Sequence, residues 1–150
     1  MFFKIGGTGV KLLYRRMHRI PCDERMIEKC PFCDIDSERI IFSNEHAVAI
    51  FYAFPVNPGH MLIIPKNHHS DFFSLNKDEY RCILELLHRC HVHIDDEFRP
   101  DGYNIGVNIG PSGGQSIPHL HVHLIPRHRG DVENPRGGVR GVIPEKQDYS

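Results

Sequence analysis

The sequence predicts a mixed α and β domain with four or five short strands and one long amphipathic helix. Three observations predict it. Between residues 39 and 65, short runs rich in β-branched and aromatic residues alternate with turn residues. One later stretch carries apolar residues at helical spacing. Near residue 120, apolar residues alternate strictly with histidines, which is the period of a strand.

Composition excludes several classes of protein. Charged residues make up 25% and hydrophobic residues 40% of the 150 residues, which is ordinary for one globular domain. The formal net charge of −1 provides no overall basic field, so we expect neither nucleic acid nor an anionic membrane as a partner. No apolar run approaches the ~20 residues that a membrane-spanning helix needs.

Residues 1–25 are predicted to be a variable extension before a domain over residues 26–150. The segment 1–19 does not resemble a signal peptide, because its arginines follow the apolar part instead of preceding it. The chain has five cysteines, and this odd number without a secretion signal favours reduced thiols and a cytoplasmic location.

Cys30 and Cys33 form a Cys-x-x-Cys pair ahead of the first strand. This spacing fits half of a zinc site, a redox pair or a chance arrangement. No βαβ pattern surrounds it, which weakens the redox interpretation. A closed tetrahedral zinc site needs two more ligands, and since the sequence has no second cysteine pair, histidines would have to supply them.

Three strands are predicted before the helix, over residues 39–42, 47–53 and 60–65. The third is apolar enough to be largely buried. His60 stands at its entrance, where a structural and a functional role are both open. The segment 66–69 follows this strand and offers polar side chains to a site.

The helix is predicted to begin after Asn76 and to end before Pro100. Asn76 is a good N-cap, and Glu79 follows at the spacing of a capping box. We expect one apolar stripe to pack on the sheet, with Cys90 as a small core residue. The stripe comprises Tyr80, Ile83, Leu84, Leu87, Cys90, His91, Ile94 and Phe98.

A fourth strand is predicted over residues 103–109, followed by a glycine-rich loop over residues 110–114. Such a loop can bring backbone N–H groups close to an anion, although an ordinary connection is the alternative. Its place directly before the histidines favours phosphate binding. The tail, residues 128–150, is rich in Pro, Gly and Arg and is expected to be a loop-rich lobe.

The last predicted strand carries a row of three histidines. Its apolar side chains would face the core and its imidazoles the opposite side, namely those of His119, His121 and His123. Near pH 7 an imidazole can act as nucleophile, proton carrier, hydrogen-bond donor or metal ligand. A solvated polar face is the simpler alternative, but histidine is not a preferred strand residue, so three in register favour a functional role.

This row follows Gly113-Gly114-Gln115-Ser116, and the pattern resembles the histidine triad (HIT) superfamily of nucleotide hydrolases and transferases. The resemblance covers roughly residues 30–149 and includes residues 58–66. Residues 101–106 and 135–140 are similar to a microbial branch labelled diadenosine-tetraphosphate hydrolase-like. The resemblance implies an α+β fold, with an antiparallel sheet of about five strands and one long helix, and commonly a homodimer in which two sheets join.

The resemblance also implies roles for individual residues. His121 would attack an α-phosphate and form a nucleotidyl-histidine intermediate, on nucleoside polyphosphates or phosphoramidates. Three further histidines would orient it or complete the site, namely His119, His123 and His60. Contacts to phosphate or to the leaving group would come from Asn108, Gln115 and Ser116.

A zinc ion, where relatives bind one, would use Cys30, Cys33, His68 and His119, with His69 as the alternative to His68. This zinc would be structural, because protein atoms fill all four positions. Relatives usually carry Asp or Asn eight residues before His60, where it hydrogen-bonds ribose. Here Tyr52 takes that place, and a tyrosine does not accept hydrogen bonds as a carboxylate does.

Two other functions remain open on the sequence. The protein could be a metallohydrolase that uses the histidine row as metal ligands. It could also be a nucleotide-binding regulatory protein with little turnover, and Tyr52 keeps that alternative open.

Overall fold

The chain folds into a five-stranded antiparallel sheet with one long helix, in a computed structural model that describes residues 30–149. The elements are β1 Ile40–Ser43, β2 Ala47–Phe51, β3 Met61–Pro65, α1 Lys77–Phe98, β4 Gly102–Gly106 and β5 Val122–Arg127. The strand order is β1-β2-β3-β5-β4, and each neighbouring pair is antiparallel. The predicted α+β class is confirmed. The predicted extension, residues 1–25, lies outside the described residues.

Strand β3 is the centre of the sheet, and all of its residues are buried. This burial explains its continuous apolar sequence, because both faces of the strand are covered. On one face Met61 and Ile63 pack under α1 in the main core. On the other face Leu62 and Ile64 form a smaller cluster with side chains that include Tyr52.

Helix α1 begins as predicted. Asn76 caps it, and Glu79 completes the capping box with its carboxylate. Glu79 is only 2% exposed. Burial opposes its ionisation, but hydrogen bonds from the Asn76 backbone and from the side chains of Asn67 and His69 lower its pKa to about 2. The carboxylate therefore joins the start of the helix to the segment after β3.

The buried face of α1 differs in one place from the predicted stripe. Cys90 is fully buried as expected, but Leu84 is 62% exposed while Leu86 is buried. The buried positions 79, 82, 83, 86, 90 and 94 follow the helical period. Leu84 falls to the side of that line, beside the sheet edge.

The ends of several predicted strands differ from the observed ones, and the differences in β4 and β5 affect the site. β4 ends at Gly106 instead of residue 109, and β5 begins at Val122 instead of His119. Leu120, before β5, does not pair with β3, because its N–H donates to the carbonyl of His69. The segment before β5 therefore leaves the sheet ladder.

Consequently the histidine row is not an exposed strand face. Of the three histidines only His123 lies in β5. His119 is fully buried and His121 is 7% exposed. The apolar half of the alternation behaves as predicted, because Leu120, Val122 and Leu124 all belong to the main core.

The tail after β5 has no strand or α-helix among its described residues. It contains two short 3-10 turns, Gly138–Val142 and Pro144–Lys146. The Gln147 side chain donates to the carbonyl of Arg136, and a β-carbon at Gly137 would overlap the Gln147 backbone. Among the residues that the structure describes, no helix is long and apolar enough to cross a membrane.

Candidate active site and metal centre

Three histidines meet where β3 and β5 lie side by side. His60 directly precedes β3, and His123 is paired with Leu62 of that strand. The Nε2 atom of His60 lies 3.0 Å from Nδ1 of His123. The ring of His121 lies 5.0 Å from the ring of His123. The structure thus brings together three of the four histidines that the sequence predicted for catalysis, and the ring of His119 lies elsewhere.

The hydrogen bonds of His60 define its tautomer. The backbone N–H of Val56 donates to Nδ1 of His60 over 3.2 Å, so this nitrogen carries a lone pair and no proton. Burial lowers the pKa of His60 and keeps the ring neutral near pH 7. The proton of the neutral ring therefore sits on Nε2, which donates to His123.

His123 is also neutral near pH 7 and has the same tautomer as His60. Burial, followed by the nearby rings of His121 and His60, lowers its pKa to about 4. Its Nδ1 accepts the hydrogen bond from His60, so in the neutral ring the proton lies on Nε2. The pair therefore offers one N–H donor, at Nε2 of His123, to a bound anion.

His121 has the opposite tautomer. Its Nδ1 lies 2.8 Å from the backbone carbonyl of His119, and because a carbonyl only accepts, Nδ1 carries the proton. In the neutral ring Nε2 then holds an unshared electron pair. The edge of Phe32 packs against the same ring, with centroids 5.2 Å apart. The ring of His121 is therefore held in one orientation, with the unprotonated nitrogen that a nucleophile needs at Nε2.

The side chain of His119 turns away from the other histidines of the row and joins a Cys/His cluster. The potential ligand atoms of Cys30, Cys33, His68 and His119 all lie within 4.8 Å of one another. Nδ1 of His119 lies 3.4 Å from Sγ of Cys30 and 3.5 Å from Sγ of Cys33, and Nδ1 of His68 lies 3.1 Å from Sγ of Cys33. These four were the predicted metal ligands.

The cluster fits a tetrahedral metal ion that prefers sulfur and nitrogen. Ligand atoms about 2.0–2.3 Å from such an ion are separated by distances like those observed. The second ring nitrogen of His119 donates to the carbonyl of Pro65 over 2.9 Å, which leaves Nδ1 for the ion and fixes the ring. His69, the alternative ligand, bonds to Glu79 and Ser74 instead.

The glycine-rich loop is braced internally. The N–H groups of Gly113 and Gly114 donate to carbonyls within the loop. Gln115 accepts from the Gly110 N–H and donates to the carbonyl of Ser70. Ser116 follows on the exposed side. Several backbone N–H groups that were expected to bind an anion therefore donate hydrogen bonds within the loop, and the Gln115 side chain connects the loop to Ser70.

Two other residues that the sequence predicted to contact substrate, Asn108 and Tyr52, lie at the margins of the site. Asn108 lies close to Gly114 and is partly buried. The ring of Tyr52 packs edge-on against the rings of His60 and His123, with centroids 5.0 and 5.9 Å away. Contact between these residues and a substrate remains a prediction, whereas contact between Tyr52 and the paired histidines is observed.

Sequence reasoning missed the residues that act through backbone groups or ring contacts. Val56 contributes only an N–H, which no residue type encodes. Phe32 lies between the two metal-site cysteines and contacts His119 and His121. An aromatic residue enclosed by a Cys-x-x-Cys pair was the available signal for Phe32.

Fold and site together define a small α+β protein with a cluster of histidines at the entrance to a central strand. A family model described as the HIT domain matches residues 35–130. The chain belongs to the HIT family.

Three known proteins illustrate the similarity. The bis(5'-adenosyl)-triphosphatase of Saccharomyces cerevisiae is 33% identical over 117 residues, which are 75% of this chain and 52% of that enzyme, so the chain spans about half its length. A HIT family protein from Bacillus anthracis has a TM-score of 0.65 at 33% identity, over 69% of this chain and 77% of its own. A zinc-bound histidine triad family protein from Mycobacterium smegmatis has a TM-score of 0.63 at 27% identity, over 72% and 81%.

Proposed function

We propose that this protein hydrolyses or transfers nucleotidyl groups from nucleoside polyphosphates or phosphoramidates, with His121 as the nucleophile. The main observation behind the proposal is the hydrogen bond from Nδ1 of His121 to the His119 carbonyl, which leaves Nε2 with a free electron pair. Similarity to a bis(5'-adenosyl)-triphosphatase supports the substrate class.

The reaction would proceed in two displacements. Nε2 of His121 forms a bond to the α-phosphorus as the bond from this phosphorus to the leaving group breaks; a leaving phosphate departs as an oxyanion with the bonding electrons, and a leaving amine takes up a proton from solvent as it departs. The resulting imidazolium is stabilised by the His119 carbonyl, which accepts from Nδ1. A water molecule then attacks the phosphorus, the N–P bond breaks, and the nucleoside monophosphate departs while the proton of water passes to solvent.

His123 would assist both displacements. Its Nε2–H, held in place by the bond from His60, can donate to a phosphoryl oxygen. Phosphoryl transfer depends mainly on positioning and on charge stabilisation. One well-placed donor of this kind contributes about 2.7–4 kcal/mol to transition-state binding.

We propose that the ion of the Cys/His cluster is zinc. Two cysteine and two histidine ligands match its preference, and the similar Mycobacterium smegmatis protein is zinc-bound. With four protein ligands the ion would cross-link chain segments and take no part in the reaction. The residues would hold it through Sγ of Cys30 and Cys33 and Nδ1 of His68 and His119.

We propose that the protein is a homodimer joined along β4. This strand is an edge of the sheet, and Ile105 on it is 50% exposed. A groove of about 390 Å³ between β4 and α1 is lined by apolar groups, including Ile105, Leu84 and Leu87. Exposed edges and apolar patches of this kind favour association. Sedimentation equilibrium of the wild type and of Ile105→Glu should show a dimer and a monomer, and a monomeric wild type would contradict the proposal.

We include a cytoplasmic location in the proposal, and it is supported by the free thiols of Cys82 and Cys90. A metallohydrolase that uses the whole histidine row finds less support. Within residues 30–149, the cluster of potential metal ligands includes His119 but neither His121 nor His123.

A second candidate function is favoured by one observation. The Tyr52 ring packs on both paired histidines and offers no carboxylate for a ribose diol. A protein that binds nucleotides with little turnover could tolerate this substitution more easily than an enzyme. Tight binding of adenosine monophosphate without product from any substrate would favour this regulator.

The test is a substrate panel of dinucleoside polyphosphates and adenylyl amines. We expect turnover of at least one member by the wild type and a fall in kcat of about 10³-fold or more in His121→Ala, because the nucleophile is removed. His88→Ala is the matched control, since His88 is exposed on α1, and it should retain wild-type kcat. Equal activity of His121→Ala and the wild type would refute the proposal.

A further inference from the structure

The loop that holds His60 is tied to the far end of β5 by one asparagine. The side-chain amide of Asn57 donates to the carbonyl of Pro126 over 3.0 Å and to the Asp131 carboxylate over 2.9 Å. The backbone carbonyl of Asn57 accepts from the N–H of His60 over 3.1 Å. Asn57 thus connects the turn before β3 to the turn after β5.

Asp131 is itself firmly held. Its carboxylate accepts from Nε and Nη2 of Arg127 over 2.7 and 2.8 Å, and from the His128 N–H over 3.0 Å. The hydrogen bonds from Arg127 hold the pKa of Asp131 well below its usual range. Arg127 is fixed in turn through Nη1, which lies 2.6 Å from Oδ1 of Asn104. The acceptor that faces Asn57 is therefore charged and immobilised by its own partners.

The same loop is confined on its other side. Gly59 has a φ of +86°, and a β-carbon there would lie 2.9 Å from the Phe98 ring. Gly59 lies against Phe98, and Asn57 is held by Asp131. The loop between them places the Val56 N–H against Nδ1 of His60. That single N–H decides which nitrogen of His60 carries the proton.

We propose that Asn57, anchored by Asp131 and Arg127, is a positioning residue that fixes the tautomer of His60 and, through it, the tautomer of His123. Its kinetic consequence depends on the proposed function, whereas the tautomers themselves do not. Asp131 lies just beyond the segment that the HIT family model matches. The hydrogen bonds of Asn57 and Asp131 therefore connect the paired histidines, His60 and His123, to the start of the tail.

A purely structural role for Asn57 makes a different prediction. If Asn57 only stabilised the fold, its replacement would lower the free energy of unfolding and leave the imidazole protonation pattern of the folded protein unchanged. If it positions His60, the pattern itself changes in protein that is still folded. Nitrogen-15 chemical shifts of labelled histidines report the proton position on each ring directly.

The first variant is Asn57→Asp, which keeps the shape of the side chain but removes both N–H donors and places a carboxylate against Asp131. In the wild type we expect an unprotonated Nδ1 and a protonated Nε2 in both His60 and His123. In the variant we expect mixed tautomers at both rings. Asn134→Asp is the matched control, because Asn134 is an exposed residue of the tail, and it should keep the wild-type spectrum.

Two further variants cover the remaining outcomes. The double variant Asn57→Asp/Asp131→Asn exchanges the donor and the acceptor of the hydrogen bond between residues 57 and 131. It should therefore restore this hydrogen bond and recover the wild-type tautomers in part. If circular dichroism shows that Asn57→Asp is unfolded, Asp131→Asn alone replaces it, and its spectrum should shift in the same direction. Unchanged tautomers in every folded variant would overturn the inference.

Kinetics separate this inference from the proposed function. With the best substrate of the panel, kcat of Asn57→Asp should fall about 10- to 100-fold, while the Kd for adenosine monophosphate stays within about twofold, because misplacement affects the transition state more than binding. A wild type that turns over no substrate would refute the proposed function, and the nitrogen-15 spectra would still decide the role of Asn57. An unchanged kcat with altered tautomers would refute the coupling of His60 to catalysis.

Discussion

At the scale of single residues, the site depends on neutral imidazoles whose protons are placed by neighbours. His60 accepts a hydrogen bond from the backbone N–H of Val56 and donates one from Nε2 to His123. His121 donates a hydrogen bond from Nδ1 to the carbonyl of His119. Both nitrogens of His60 are hydrogen-bonded, whereas His123 and His121 each have one hydrogen-bonded nitrogen, so the other nitrogen of those two rings has one defined role. The proposed nucleophile would need no separate base, because an unprotonated imidazole nitrogen is already reactive at neutral pH.

The lowered pKa of His123, about 4, predicts how stability depends on pH. An unfolded histidine titrates near 6.5, so between about pH 6.5 and 4 the unfolded chain binds a proton that folded His123 does not. The free energy of unfolding should therefore fall as pH drops through this window, by about 1.4 kcal/mol per pH unit for one proton. Urea denaturation of the wild type and of His123→Asn at pH 7, 6 and 5 measures it.

The comparison between the two proteins isolates this histidine from other groups that titrate in acid. The decline should be less steep in His123→Asn, because one fewer proton is bound on unfolding. Parallel curves for the two proteins would show that His123 is not protected from protonation in the fold.

At the scale of elements, local sequence predicted most of the fold. The apolar period and the Asn76–Glu79 capping box defined α1, because helix formation depends on neighbours three or four residues apart. β3 was recognisable because a strand covered on both faces is apolar throughout. These features are encoded within the element itself, so one sequence was enough to find them.

The site was predicted less completely, because several of its features depend on contacts between distant segments. The histidine alternation was read as one strand, yet β5 begins only at Val122. His119 leaves the sheet because its ring joins Cys30 and Cys33, which are more than 80 residues away along the chain. Asn57 and Asp131 gave no local signal, since their link joins two turns that only the fold brings together.

At the scale of the whole molecule, the Cys/His cluster and the proposed catalytic site share one residue. His119 faces the cluster with its ring, while its backbone carbonyl orients His121. The cluster joins the start of the described chain to the segments after β3 and before β5. A bound ion would therefore stabilise the histidine site through His119 without contacting substrate.

Metal removal should accordingly destabilise the protein before it stops the reaction. We expect chelation to lower Tm by several degrees, since an ion that binds only the folded state adds its binding free energy to stability. Initial rates should stay near wild type at temperatures well below the new Tm. Differential scanning calorimetry and initial-rate assays on the same samples test this, and immediate loss of activity in fully folded protein would favour a catalytic metal.

Two neighbouring histidines provide a matched pair for this prediction. His68→Asn should reduce zinc content from about one ion per chain towards zero, because a structural site of this kind needs all four ligands. His69→Asn should keep its zinc, since His69 bonds to Glu79 and Ser74 and lies outside the ligand set. Equal zinc content in the two variants would contradict the assignment of His68.

The most direct test of the central claim is to locate the nucleotidyl group on the enzyme. The protein is mixed with a reactive member of the panel, quenched in alkali to preserve phosphoramidate bonds, and digested for peptide mass spectrometry. We predict an added nucleoside monophosphate on the ring of His121 and on no other histidine, absent from His121→Ala. Efficient turnover with an adduct on another residue, or with none under conditions that preserve a synthetic phosphohistidine standard, would contradict the account.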